Sequence, residues 1–400
     1  MRRLLVPVGL FLVIAALGLI FLPHDTLNPP RSENNGSSMI LEVDSHTAAF
    51  SGNQIAEASN IRWTPIADTI AYERVQEQAA PVHSCEGQVM DKPRWVVTVP
   101  VATLWSEPNQ ARSIDRPSLG NPVQLKAWLQ SMSLPDKLWL VGKLETQALL
   151  GTEVTLLDRR DDWLRVAVSG QNTPKNENGY PGWVPKDQLA EQTRQYDSCP
   201  IAVVSRPTAW LYEDASSMLR LEEISFNTEL PIVFHEESRI GVVSRNEEIR
   251  WMNKSDVIVR DPSLDQGESK SQVTGEELVQ TANSFLELPY LWAGTSGFGF
   301  DCSGFTYAVH RNHGITIPRD AKDQAKAGTE VNTDDLKPGD LLFYAYDKGK
   351  GKVHHVAMYI GEGMMIHSPK TERSIEIISM KTPAYAQEFA GARRYTELIT

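Results

Sequence analysis

At 400 residues the chain is longer than one ordinary domain and calls for two or three. Its 41% hydrophobic and 22% charged residues, with ten tryptophans, provide for packed cores and exclude a disordered chain. A formal net charge of −12, with no basic run beyond pairs such as Arg393–Arg394, excludes a nucleic-acid surface.

Arg2 and Arg3 precede an uncharged apolar run, Leu4–Leu22. Its length is close to the ~20 residues that cross a bilayer. The positive-inside tendency puts Arg2–Arg3 in the cytoplasm and everything after Pro23 outside, so export is expected. Residues 1–22 are read as a signal or a membrane anchor; no obvious small-x-small cleavage site follows Gly18. Residues 23–88 are read as a polar linker (Pro29, Pro30, Asn34, Asn35, Gly36) and an N-terminal segment without assigned function. Of three cysteines, Cys85 and Cys199 flank a predicted domain, and export would allow them to pair, although spacing alone fixes no geometry. Cys302 is then the odd one, in a different sequence context, and a candidate reactive thiol.

From Trp95 the pattern is β. Trp95–Val101, Glu153–Leu157 and Trp163–Val168 read as strands, with turns at Asn178-Gly179 and Pro181-Gly182. The pattern then repeats. Thr152-Glu-Val-Thr-Leu-Leu aligns with Thr228-Glu-Leu-Pro-Ile-Val, Leu164-Arg-Val-Ala-Val with Ile240-Gly-Val-Val-Ser, and Gly182-Trp-Val-Pro with Arg250-Trp-Met-Asn. Two degenerate copies of one small β unit are expected, over 89–195 and 196–261. The first carries an insertion from Asn109 to Gln147 with helical patterning around Val123–Met132. The closing strands resemble those of bacterial SH3-like barrels.

A second linker covers 262–271. Thr274 and Glu277 form a capping box for a helix whose buried face is Leu278, Ala282, Phe285 and Leu286, ending at Leu288-Pro289. A glycine-marked loop, Gly294 to Gly299, leads to Cys302, and Phe305, Ala308, Val309 and Asn312 keep helical spacing until Gly314. Cys302 therefore opens a helix, where partial positive charge favours a thiolate and unsatisfied N–H groups can meet an oxyanion. The thiol needs a base. Val353-His-His-Val-Ala-Met-Tyr-Ile-Gly361 alternates as a strand, and after Gly361-Glu362-Gly363 a second strand returns with His367. A hairpin sets one of His354 and His355 beside His367; alternation alone does not choose between them. Neither a His-Glu-x-x-His pattern, nor paired cysteine spacing, nor a phosphate loop is present, so no metal and no cofactor are expected.

Asp301-Cys302-Ser303-Gly304-Phe305, Leu336-Lys-Pro-Gly-Asp-Leu-Leu-Phe343, His355-Val-Ala-Met-Tyr-Ile-Gly361 and Ile366-His367 resemble, in order, the motifs of NlpC-type cell-wall cysteine peptidases, over about 272–397. The resemblance implies an α+β, papain-like catalytic domain preceded by two SH3-like β barrels. It also implies a catalytic trio of Cys302 as nucleophile, His355 as base and His367 as its orienter. The whole arrangement is similar to the γ-D-glutamyl-L-diamino-acid endopeptidase group, which acts on peptidoglycan stem peptides with a free N-terminal L-Ala. That likeness implies an amine-binding Glu145 and Tyr180 on the first barrel, and a cleft lined by Tyr290, Trp292, Asp301, Ser303 and Asp320. Where many members carry Ser or Thr, this chain has Ala321, one hydroxyl fewer toward D-Glu. The expected partners are peptidoglycan-derived peptides, with membrane attachment through residues 4–22 possible in the bacterial envelope. The alternatives are an endopeptidase acting on intact wall, and a wall-binding protein with little catalysis.

Overall fold

The computed structural model describes Val82–His83, residues 85–262 and residues 273–396. The apolar run 4–22 and the linkers 23–81 and 263–272 lie outside the described residues.

A short strand β1 (Val82–His83) precedes seven strands, of which β3, β4 and β7 are buried along almost their whole length. These are β2 (Gln88–Val97), β3 (Val101–Trp105), β4 (Leu144–Leu149), β5 (Glu153–Arg160), β6 (Trp163–Val168), β7 (Tyr180–Pro185) and β8 (Leu189–Gln195). Helices α1 (Leu125–Ser131) and α2 (Leu134–Trp139) stand between β3 and β4. Seven more strands follow: β9 (Ile201–Val204), β10 (Thr208–Tyr212), β11 (Arg220–Ser225), β12 (Glu229–His235), β13 (Arg239–Val243), β14 (Ile249–Asn253) and β15 (Val257–Arg260). The first sheet runs β4-β3-β7-β6-β5-β2-β8 and the second β11-β10-β14-β13-β12-β9-β15, the same order strand for strand. The aligned segments fall on equivalent strands, and both copies interrupt their ladders at equivalent points, at Leu157 and at Val233. The cores match too: Ala102, Leu104, Leu164 and Val166 correspond to Ala209, Leu211, Ile240 and Val242. These are the two SH3-like barrels.

Two local expectations in the barrels differ from the structure. Trp95–Val101 is not one strand, because the chain turns at Val99–Pro100 and starts β3 at Val101. The insertion ends before Leu144, so Glu145 and Gln147 belong to β4. In the segment before the first barrel, β1 pairs with β12 of the second barrel, and Cys85 is disulfide-bonded to Cys199 with Cα atoms 5.6 Å apart.

The third unit opens with α3 (Gly275–Asn283), capped by Thr274 and Glu277 as the sequence predicts. The helix stops at Asn283, earlier than expected; Leu278, Ala282 and Phe285 are buried but Leu286 is 41% exposed. There follow β16 (Thr295–Ser296), β17 (Gly299–Phe300), α4 (Cys302–Asn312), α5 (Ala321–Gln324), β18 (Thr329–Val331), β19 (Leu341–Ala345), α6 (Tyr346–Gly349), β20 (Val353–Gly361), β21 (Met364–His367), β22 (Glu376–Ser379), α7 (Pro383–Glu388) and β23 (Phe389–Arg394). Six strands pair antiparallel in the order β18-β23-β19-β20-β21-β22. Phe305, Ala308 and Val309 of α4 share one apolar core with Val356, Met358 and Ile366 of the sheet. That packing presses the start of α4 against the hairpin β20–β21. Among the described residues no helix is long and apolar enough to cross a membrane.

Candidate active site

Cys302 is the first residue of α4, and Asp301 is its N-cap, accepting the Gly304 N–H at 2.6 Å. Only glycine fits at 304, since a Cβ there would come within 2.0 Å of the Gly294 carbonyl. The half-buried thiol is faced by the backbone N–H groups of Val356 and Ser303. The first of these belongs to β20, next to His355. Burial, reinforced by the Asp301 charge, pushes the thiol up to about 12. Desolvation thus opposes the helix-terminus effect expected from the sequence.

The hairpin does what alternation predicts. His355 and His367 stand side by side, Nε2 to Nδ1 at 2.9 Å, both buried. His354 faces the other way, stacked on Tyr346 with its Nε2 3.1 Å from Glu388. Burial, then the neighbouring His367 and His354, hold His355 well below the usual histidine range. Burial likewise lowers His367 to about 4. Both rings are neutral at neutral pH, as a proton-accepting pair must be. Beyond them Glu376, directly opposite His367 across the β21–β22 ladder, brings a carboxylate oxygen to 3.3 Å from His367 Nε2. Tyr385 of α7 covers the pair, its ring 5.6 Å from His355 and 5.1 Å from His367.

Tyr290 lies beside the thiol: burial, then the charges of Cys302 and Asp301, raise its hydroxyl well above the usual range, so it stays a donor. Asp301 and Ser303 are already engaged. The buried Arg319 guanidinium donates to both Asp301 oxygens, at 3.1 and 2.8 Å, and to Ser303 Oγ at 2.9 Å. Its Nε reaches Thr146 Oγ1 of the first barrel at 3.3 Å, and its backbone N–H bonds the Asn172 carbonyl. Arg319 thus ties the start of α4 to the first barrel. Trp292 joins the same seam, donating to the Leu144 carbonyl at 3.2 Å and packing on the tryptophan-rich cluster of Trp105, Trp128 and Trp163.

On the barrel side of this seam, Glu145, Tyr180 and Asp320 come together. The ladder bulges between Leu104 and Trp105 so that Glu145 has no direct partner on β3. Gly179, at φ +126°, turns the chain into β7, where a Cβ would meet the Val168 carbonyl at 2.0 Å. Tyr180 then donates from its hydroxyl to the two Asp320 oxygens at 3.1 and 3.2 Å. The Lys175 ammonium completes the group, 2.6 Å from Glu145 Oε2 and 2.6 Å from the Tyr180 hydroxyl, over the Tyr180 ring at 4.3 Å. Ala321 follows Asp320 and is buried at the start of α5.

Sequence reasoning missed Arg319, Lys175, Glu376 and Tyr385. Arg319 had a signal, a charge directly after the largely apolar Ile315–Pro318 segment. Lys175 sits in a polar loop that carries none, and the partners of Glu376 and Tyr385 are set by strand register and helix placement.

Comparison with known proteins agrees with this architecture. Residues 287–394 match the NlpC/P60 family, residues 204–259 the YKFC SH3b2 domain, and residues 142–189 the bacterial dipeptidyl-peptidase Sh3 domain. Over 303 residues the chain is 49% identical to a Bacillus cereus protein named gamma-D-glutamyl-L-lysine dipeptidyl-peptidase, covering 75% of this chain and 90% of that one. A Bacillus subtilis protein of the same name is 41% identical, covering 74% and 96%. The crystal structure of a Bacillus cereus NlpC/P60 family protein, 48% identical, superposes with a TM-score of 0.72 over 76% of this chain and 99% of that one. With its ordered motifs, its paired barrels and this identity over nearly the full length of those relatives, the chain belongs to the NlpC/P60 family of cysteine peptidases.

Proposed function

We propose that the chain hydrolyses the γ-D-glutamyl–diamino acid bond of peptidoglycan stem peptides that carry a free N-terminal L-Ala, acting outside the cytoplasm or in the envelope. The observation that carries this reading is Lys175: an ammonium already sits between the Glu145 carboxylate and the Tyr180 hydroxyl, with Asp320 behind. A pocket of that composition suits the N-terminal ammonium of a peptide, which would take the place of Nζ. An acylated or extended N-terminus would leave the carboxylates unpaired.

In the chemical step Cys302 loses its proton to His355 as its sulfur attacks the γ-carbonyl, a coupled transfer because the resting pair is neutral. Backbone N–H groups at the start of α4, with the Tyr290 hydroxyl nearby, are the donors available to the oxyanion. His355 returns the proton to the α-amine of the departing diamino acid, leaving a thioester. Water, deprotonated by His355, then releases L-Ala-γ-D-Glu and restores the thiol. Anchoring through residues 4–22 is part of the proposal and is checked by whether the full chain stays with membranes after a high-salt wash.

The direct test is mass spectrometry of products from L-Ala-γ-D-Glu-L-Lys, its diaminopimelate counterpart and the N-acetylated forms. Release of L-Ala-γ-D-Glu from the free-amine peptides alone is the expected result. Equal cleavage of the acetylated forms removes the amine pocket from the reading, and cleavage of whole sacculi in preference to either reassigns the enzyme to intact wall.

A further inference from the structure

The pair His355–His367 can exist in two hydrogen-bonded arrangements, and only one is useful. A neutral imidazole carries its proton on one nitrogen and a lone pair on the other. The 2.9 Å contact joins His355 Nε2 to His367 Nδ1, so one of these two atoms holds the proton. If it is His355 Nε2, then His355 Nδ1 has the free lone pair and is able to take the Cys302 proton. If it is His367 Nδ1, then His355 Nδ1 carries a proton itself and the site has no base. Nothing in the two rings alone prefers either arrangement.

The deciding group stands on the far side of His367. His367 Nε2 and Glu376 Oε1 are 3.3 Å apart, at ion-pair distance; both are shut from solvent, and neither makes a hydrogen bond among the described residues. The other Glu376 oxygen is held by the Arg373 guanidinium. An ionised carboxylate accepts and does not donate. A lone pair on His367 Nε2 would therefore face a second acceptor in a dry site. The other neighbours of the pair, the rings of Tyr385 and Tyr344, meet the imidazoles as tilted or edge-on rings.

We infer that Glu376 is a positioning residue for the peptidase: through His367 it fixes the tautomer of His355 and so makes Nδ1 the base. The carboxylate holds a proton on His367 Nε2, which makes His367 Nδ1 an acceptor, which in turn holds the proton on His355 Nε2. When the thiol proton moves to His355 Nδ1, the imidazolium so formed keeps its hydrogen bond to His367, and Glu376 takes up no proton. This inference rests on the cysteine–histidine chemistry proposed above and adds the residue that orders it.

The arrangement predicts an inverted ranking of variants. In Glu376→Gln the Arg373 donor draws the amide oxygen to itself, so the amide NH2 faces His367 Nε2 and enforces the unproductive tautomer. Glu376→Leu removes the preference but leaves part of the population productive. We expect kcat to fall about 100-fold for Glu376→Gln and about tenfold for Glu376→Leu, with KM for the tripeptide unchanged in both. Adding Arg373→Met to Glu376→Gln frees the amide to turn and recovers kcat toward the leucine level. A role confined to packing would rank the near-isosteric glutamine above leucine, so a glutamine variant as active as the leucine variant overturns the inference. Long-range 15N–1H spectra of histidine-labelled wild-type protein provide a test that needs no variant. Both His355 and His367 are expected as Nε2–H tautomers, and an Nδ1–H signal for His367 overturns it as well. Cys302→Ala separates the two levels: if it still cleaves, the proposed chemistry itself fails, whatever Glu376 does.

Discussion

The two barrels have one strand order, equivalent bulges and a matched core, yet they meet the catalytic unit in different ways. In the first, β4 bulges at Glu145, and in the second, β11 bulges between Tyr212 and Leu211 at Leu221. The ladders also place Tyr180 of β7 opposite the register position that Glu248 takes before β14, since Trp183 and Trp251 pair with Trp105 and Tyr212. A carboxylate and a phenol in one barrel are thus a leucine and a glutamate in the other. The second barrel grips the back of α4 instead: Asn227 donates to the Ala308 carbonyl at 2.7 Å and accepts from Asn312 at 2.8 Å, while Phe226 meets Phe285 edge to face. A bulge re-aims whatever side chain it carries, so one scaffold presents a cluster of polar side chains in one copy and a bracket in the other, according to two or three residues.

The comparison is broken most directly by giving the first barrel the residue of the second. Glu145→Leu is expected to lower kcat/KM for the free-amine tripeptide on the order of 100-fold, while any residual cleavage of the N-acetyl peptide stays unchanged. Leu221→Glu in the second barrel changes neither. Steady-state kinetics on both peptides decide, and a glutamate-to-leucine variant with wild-type discrimination would show that the bulge does not select the amine. The bracket is probed by Asn227→Ala. Removing this buried amide leaves the Ala308 carbonyl without its donor and Asn312 without its acceptor, a loss of about 2 kcal/mol read by urea denaturation, with kcat and KM intact. A kinetic defect in that variant would mean that the second barrel also shapes the cleft. The smallest effect is expected for Lys175→Met. Its contacts to Glu145 and Tyr180 are partly solvated, so removing the competing ammonium lowers KM for the free-amine peptide only a few-fold. A rise in KM would instead make Lys175 a ligand for the substrate.

The catalytic region was the most legible in sequence. Cys302 reads as a helix start because a glycine-marked loop gives way to helical spacing there, both short-range signals; the Asp301 cap on the Gly304 N–H came with the structure. One of His354 and His355 reads as a neighbour of His367 because a short turn leaves a hairpin little choice of partner, and the family resemblance points to His355. The repeat was legible as well, since each copy must bury the same positions to close the same sheet. The ionisation of the thiol was only half legible: helix position favours a thiolate, but the burial that opposes it is a property of the assembled unit.

By itself, then, the sequence determined the place of Cys302 at a helix start, the histidine hairpin, the two β units and the order of the domains. Each of these depends on periodicity, capping or turn chemistry acting over a few residues. Only the tertiary structure decided that Arg319 joins Asp301 to Thr146, that Lys175 occupies the Glu145–Tyr180 pocket, that Cys85 bonds Cys199, and that Glu376 stands behind His367. Those pairings join residues up to 173 positions apart. They depend on register and on the docking of one domain against another, which short-range pattern does not encode.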